Sequence, residues 1–294
     1  MAVNSWKILT YVQIAFYVII AAVDIIQKIQ VLKARRNAEG SFEKGVSRIF
    51  RSYMIYASLF IICKVTGGIC GAVLFSLTDL NTNLLIATYV FDSVSLGFLI
   101  KTLLPIIEFI VDKRSDILNG LVGLDPDVKY GGEEVERPKK GRFHPFRILT
   151  LVLLAAVICT IVASSSMSDD ISTYRACLKA SALLFLSVVI IIIGFLVYLI
   201  MFFKSANYAH SDIVIQLASI MLIATPFLLV RCVYSILAAF SNTNLFVGKA
   251  SKYTLFYGDY VYYTFLAFIE ECVAIIVIIC TIYYFLQKVE YLRN

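Results

Sequence analysis

The amino-acid sequence predicts an all-α, multi-pass membrane protein: a single domain, residues 1–294, built as a bundle of seven transmembrane helices. Of its 294 residues, 60% are hydrophobic and only 16% are charged, and the mean hydropathy is +0.86. These values exclude a soluble globular domain. Seven apolar runs reach the roughly 20 residues that a helix needs to cross about 30 Å of hydrocarbon. They are residues 8–31, 53–77, 84–111, 146–165, 180–203, 213–240 and 260–286.

The distribution of basic residues predicts how these helices are oriented. Seventeen Lys and Arg residues lie on the side of the loop 32–52, the loop 112–145 and the C-terminal tail, whereas five lie on the other side. Cytoplasmic loops carry the excess of positive charge, so we expect the N-terminus outside and the C-terminus in the cytoplasm. The plasma membrane is favoured over an endomembrane. Because the basic residues flank membrane spans, binding to nucleic acid is not expected.

The loop of residues 112–145 is the one long connection. Its second half contains paired glycines and reads as a flexible cytoplasmic linker, while apolar residues in 117–124 predict a short helix lying on the membrane surface. We expect the loop to contact anionic lipid. The alternative is a docking site for a cytoplasmic partner.

Charged residues inside the spans are the main functional signal, because a charge in hydrocarbon costs several kcal/mol unless it is paired or hydrated. Counting the helix rise from the outer ends places Asp92, Arg231 and Glu270 about 12–15 Å deep and Lys64 near 20 Å. These four belong to spans two, three, six and seven. Two bases and two acids are therefore expected to neutralise each other, which leaves Glu271 to face solvent, a substrate or a proton.

Two more charged residues lie deeper. Asp24 and Lys101 are both close to 25 Å from the outside on the same count, so a second pair is expected between them. The alternative for Asp24 is that it snorkels to the inner face. Gly67 and Gly71 share a helix face with Lys64 and form a small-residue contact surface, which predicts that Lys64 points into the bundle.

Aromatic residues crowd the segment before the last span, at Tyr253, Phe256, Tyr257, Tyr260, Tyr262 and Tyr263. Such crowding is typical of the aromatic belt at a membrane interface. The alternative is the mouth of a site for an amphiphilic ligand, with the acids of span seven beneath it.

Several classes of function are excluded by what the spans lack. His144 and His210 are the only histidines and lie at span ends, too few for an intramembrane zinc hydrolase or a bis-His haem. Span seven contains no Lys, so a retinal Schiff base is not expected. We therefore expect no enzyme, no catalytic residue, no metal and no cofactor.

Span six carries the sequence PFLLVRCVYS, residues 226–235, and span seven carries the acidic pair Glu270 and Glu271. These features, within similar topology across nearly the full chain, resemble an uncharacterised fungal seven-helix family that is distantly similar to the RTA-like lipid-translocating exporters. The RTA-like pattern places Arg three residues before Tyr, as Arg231 and Tyr234 do. It continues with a second Arg and a Glu, where this chain has Ser235 and Ala238, so the uncharacterised relatives are the better match.

Three functional hypotheses follow. In the first, a transporter-like or lipid-handling protein binds a polar or amphiphilic molecule in the charged layer: Arg231 and Lys64 hold an anionic group, and Asp92, Glu270 or Glu271 supplies a counter-charge or takes up a proton. In the second, a receptor or sensor signals through its basic cytoplasmic loops. In the third, the charges are static ion pairs that fix the register of the helices.

Overall fold

The computed structural model describes residues 2–36, 41–77, 81–122, 145–166, 170–206, 211–241, 251–255 and 258–291. Within these ranges the chain is helical and contains no strand. The helices are α1 (Ala2–Arg36), α2 (Ser41–Leu74), α3 (Thr82–Val122), α4 (Pro145–Ser165), α5 (Ile171–Ala206), α6 (Ser211–Phe240), α7 (Tyr260–Tyr263), a π-helical segment (Thr264–Phe268) and α8 (Ile269–Tyr291). The prediction of an all-helical fold is confirmed over the described residues.

Seven of the described helical stretches are long and apolar enough to cross a membrane, as predicted: Asn4–Gln30, Arg51–Leu74, Thr82–Glu108, Phe146–Ser165, Ile171–Ser205, Val214–Phe240 and Tyr260–Tyr284. The last of these comprises α7, the π-helical segment and most of α8. These stretches are compatible with a multi-pass membrane protein. The side on which each terminus lies stays a prediction, so the two ends of the bundle are called here the α1-start face and the α1-end face.

The fifth span begins nine residues before the predicted start. Arg175 and Lys179 lie in the first turns of α5, which are therefore too polar for an apolar run. The helix nevertheless begins at Ile171, because Asp170 caps it from the preceding position. Its side chain accepts hydrogen bonds from the backbone N–H groups of Ser172 and Thr173. These bonds and those from the two hydroxyl groups lower the pKa of Asp170 to about 2.

Helix α3 is the central element, because it packs against α2, α4, α5, α6 and α8. Helix α2 approaches it closely at Gly67, where an added Cβ would lie 3.1 Å from the Cβ of Phe91. At the next residue, Gly68, an added Cβ would lie 2.8 Å from Cγ1 of Ile14 in α1. Small residues thus let α2 fit tightly between α1 and α3, which sets Lys64 one turn away inside the bundle.

The predicted short helix at residues 117–124 is not a separate element in the described part of the chain. The backbone of α3 stays helical through Val122, so the segment continues the third span. Residues 123–144, which include the predicted flexible linker, lie outside the described residues.

Candidate functional site

Helix α6 delivers Arg231 to the interior of the bundle. Pro226 has no N–H to donate to the carbonyl of Leu222, four residues earlier. The hydroxyl of Thr225 donates to that carbonyl instead, at 2.8 Å. The α6 backbone therefore accommodates a proline just over one turn before Arg231 while keeping the exposed carbonyl hydrogen-bonded.

Four charged side chains from four spans form a closed ring, which we call the charge ring: Lys64, Asp92, Arg231 and Glu271. The Lys64 Nζ lies 2.6 Å from Asp92 Oδ1 and 2.5 Å from Glu271 Oε2. On the other side, Arg231 Nη2 lies 2.8 Å from Asp92 Oδ2, and Arg231 Nε lies 2.6 Å from Glu271 Oε1. Each base thus bridges both acids, and the formal charges of the ring sum to zero.

Three hydroxyl groups add hydrogen bonds to the ring. Tyr263 donates to Asp92 Oδ1 at 3.0 Å, and Tyr17 donates to Glu271 Oε2 at 3.4 Å. Arg231 Nη1 donates to Ser235 Oγ at 2.7 Å. Neither tyrosine was predicted as a site residue. The sequence offered no signal for Tyr17, and Tyr263 was placed in the aromatic belt although it is buried.

The acid in the ring is Glu271, not its neighbour Glu270. Glu270 is partly exposed, and one of its carboxylate oxygens, Oε2, is buried without a hydrogen-bond partner. The reason is the π-helical segment between Tyr263 and Glu271. In a continuous α-helix the residue seven positions after Tyr263, which is Glu270, lies on the same face as Tyr263. A π-turn adds about one residue, so the residue on that face is the eighth, Glu271. The prediction that Glu271 lies outside the neutralised layer is therefore wrong.

The members of the ring differ in how deeply they are buried. The side chains of Lys64 and Glu271 are each 1% exposed and that of Arg231 is 3% exposed, whereas Asp92 is 13% exposed. Removing one partner of a buried pair typically costs about 3–5 kcal/mol, because an uncompensated charge remains. Asp92 is thus the member of the ring that a ligand or water reaches most easily.

Two cavities border the charge ring on opposite sides. The smaller one, about 10 Å³ open to the centres of water-sized spheres, is lined by Lys64 and by Thr10 and Gln13 of α1. It has room for about one water molecule. The larger one, about 70 Å³ by the same measure, lies between α3, α4, α5 and α6 and is lined by Arg231. Asp92 lines both cavities.

The lining of the larger cavity is both polar and apolar. Its polar residues include Arg231, Asp92 and Ser235, together with Ser93 and Thr160. Its apolar residues include Leu96, Leu178, Ala182, Phe185 and Ala238. A space lined by charged groups and by hydrocarbon suits a ligand that is itself amphiphilic.

Residues 253–255 close this cavity at the α1-start face. Tyr234, the second residue singled out by the resemblance, donates from its hydroxyl to the carbonyl of Tyr253 at 2.9 Å. Tyr89 donates to the carbonyl of Leu255 at 2.9 Å. Tyr253 and Tyr234 therefore belong to the roof of the cavity, whereas Tyr260 is exposed as a belt residue would be. Phe256 and Tyr257 lie outside the described residues.

The expected pair between Asp24 and Lys101 is not formed. Asp24 bonds instead to Lys28, one turn further along α1, and Lys28 also reaches Ser58 of α2. Lys101 donates to the hydroxyl of Thr150 in α4. The two residues share a depth but face different neighbours, which a count of helix rise does not register.

The fold and the charge ring define an all-helical protein of membrane type with a neutral, buried ionic cluster in its interior. The chain belongs to the DUF7702 family, a domain of unknown function, whose profile matches residues 133–289. That match spans α4 to α8 and includes Arg231 and Glu271, while Lys64 and Asp92 precede it. No curated protein and no solved structure is similar to this chain.

Proposed function

We propose that this protein is a transporter-like or lipid-handling membrane protein that binds a polar or amphiphilic ligand in the larger cavity beside the charge ring. The observation that carries the proposal is that Arg231 and Asp92, two members of the ring, line this cavity. A ring whose only role was to fix helix register would have no need of an adjoining polar cavity. The proposal assigns no catalytic residue and needs no cofactor.

The neutrality of the ring limits how an anionic group binds. Arg231 already bonds to both acids, so an incoming anion gains a full positive partner only when an acid leaves or is protonated. Asp92 is the acid that exchanges, since it is the more exposed and borders both cavities. Glu271 stays between Lys64 and Arg231. Ligand binding therefore requires Asp92 either to move away from Arg231 or to take up a proton.

The resemblance to the RTA-like exporters supports a lipid as the ligand. Arg231 and Tyr234, the two residues shared with that pattern, have adjoining roles in the cavity. Arg231 lines the cavity with its guanidinium carbon 5.6 Å from the centre of the Tyr234 ring, and the Tyr234 hydroxyl bonds to the carbonyl of Tyr253 in the roof. With the predicted orientation, the roof faces the outside of the cell.

The proposal is tested by reconstituting the full chain in liposomes that contain a fluorescent NBD-labelled phosphatidylserine. Dithionite added outside bleaches only the labelled lipid in the outer leaflet, so the slow loss of fluorescence that follows reports the movement of labelled lipid from the inner to the outer leaflet. We expect the wild type to accelerate this phase and Ala238→Phe, which fills the cavity without removing a charge, to return it to the protein-free rate. Glu270→Gln is the matched control and keeps the wild-type rate, because Glu270 lies outside the ring.

Two results would contradict the proposal. One is an unchanged rate in Ala238→Phe, which would separate the cavity from translocation. The other is a folded double variant Arg231→Met with Glu271→Leu that translocates like the wild type, which would make the ring a static structural device. Ligand-dependent recruitment of a cytosolic protein without translocation would favour the receptor instead.

A further inference from the structure

Lys101 is a base in the middle of α3 whose direct contacts are neutral, while the carboxylate of Glu108 acts on it electrostatically from further away. Its Nζ donates to the hydroxyl of Thr150 in α4 and lies 5.5 Å from the centre of the Tyr56 ring in α2. Among the described residues, no carboxylate lies within 4.0 Å of this ammonium group. The nearest acid along the same face of α3 is Glu108, two turns or about 10 Å away and exposed.

Three other described bases inside the spans bond directly to carboxylates. Lys28 bonds to Asp24, and both bases of the charge ring bridge two acids. A hydroxyl group and an aromatic ring orient the Lys101 ammonium group but do not neutralise it, and Glu108 acts on it without direct contact. Since an embedded charge is costly when no counter-charge touches it, an anion from outside the chain would stabilise Lys101.

The position of Lys101 agrees with the level of lipid headgroups. Its partner Thr150 is four residues, about 6 Å, from the start of the fourth span at Phe146. Arg147 lies one turn closer to the α1-end face, on the same side of α4 as Thr150, and it is exposed. The neighbouring Ile148 and Leu151 are exposed apolar residues, so the surface of α4 around Arg147 suits contact with lipid chains.

We propose that Lys101 and Arg147 bind the phosphate of an anionic lipid headgroup in the leaflet at the α1-end face. Lys101 offers a point charge, and Arg147 offers the planar fork that fits phosphate oxygens. Thr150 holds the ammonium group in place. Glu108 limits the site on the side of the α1-end face, because a phosphate placed beside its carboxylate is repelled. This site is separate from the larger cavity, so it does not depend on the proposed transport.

The test uses the full chain purified in a neutral detergent. Its thermal unfolding is followed while phosphatidic acid, phosphatidylcholine or inorganic phosphate is added. We expect phosphatidic acid to raise the melting temperature in a saturable manner and phosphatidylcholine and inorganic phosphate to have little effect. Lys101→Gln, which keeps a donor for Thr150, weakens the apparent affinity about fivefold, and adding Arg147→Gln weakens it about 25-fold.

Lys179→Gln is the matched control. Lys179 also lies over an aromatic ring, 5.1 Å from the centre of Phe240, but it is close to the α1-start face. We expect this variant to bind phosphatidic acid like the wild type, and Lys101→Arg to retain most of the affinity. The proposal is overturned when Lys101→Gln binds phosphatidic acid with wild-type affinity, or when phosphatidylcholine binds equally well. An equal shift with inorganic phosphate would identify a site for free phosphate and also overturn it.

Discussion

Two lysines in the interior of one bundle have opposite surroundings. Lys64 is almost fully buried and touches two carboxylates, whereas Lys101 is partly exposed and touches a hydroxyl and an aromatic ring. The first belongs to a ring that neutralises itself, and the second depends on charge from its environment. Two buried charges in one protein can therefore have different roles, because the role depends on the groups that face each charge.

The same substitution at the two positions gives the largest expected difference. Lys64→Gln leaves Asp92 and Glu271 to share only Arg231, so we expect the free energy of unfolding to fall by about 3–5 kcal/mol. Lys101→Gln leaves only neutral partners behind and is expected to change it by less than about 1 kcal/mol in lipid-free detergent. Unfolding by SDS in mixed micelles measures both. Equal losses in the free energy of unfolding at the two sites would contradict the expected difference between Lys64 and Lys101.

An effect of similar size is expected to separate the two adjacent acids of span seven. Glu271→Gln leaves Lys64 and Arg231 to share only Asp92 and turns an amide NH2 toward one of these bases, so the expected loss in the free energy of unfolding is about 3–5 kcal/mol. Glu270→Gln serves as the control with the same change in charge and volume, and it is expected to be neutral or slightly stabilising. The same unfolding assay compares them. A greater loss at Glu270 would show that the two carboxylates have exchanged roles.

The smallest effect concerns a charge outside the spans. The hydrogen bonds at the start of α5 hold the pKa of Asp170 at about 2, below its usual 3.8. A lowered pKa contributes stability above pH 3.8 that is lost as the pH falls toward 2. We expect the difference in melting temperature between the wild type and Asp170→Asn to be constant from pH 7 to 5 and to shrink below pH 4. A difference that already changes between pH 7 and 5 would contradict this assignment.

The fold was largely predictable because hydrophobic length is a local property of the sequence. The start of the fifth span was missed because polar residues such as Arg175 lie within a helix that Asp170 caps. The meeting of Lys64, Asp92 and Arg231 was also predictable, since every residue adds a fixed rise along a helix and the count placed the three at neighbouring depths.

The rotation of each helix about its axis was not predictable in this way. Asp24 and Lys101 lie at one depth, yet the first faces Lys28 and the second faces Thr150. The choice of Glu271 over Glu270 depends on a π-turn whose hydrogen bonding has no marker in the sequence.

The π-helical segment at Thr264–Phe268 gives the last span an unusual tolerance. A carboxylate follows it in either register: the π-turn presents Glu271 to the two bases, and an α-turn would present Glu270. Deleting one residue and converting the segment to an α-helix would place Glu271 seven positions after Tyr263 and keep it in the charge ring. Inserting one residue with the π-turn retained would place Glu270 at the eighth position instead. In both cases an acid faces the two bases, so the pair of adjacent acids keeps the ring electrically balanced.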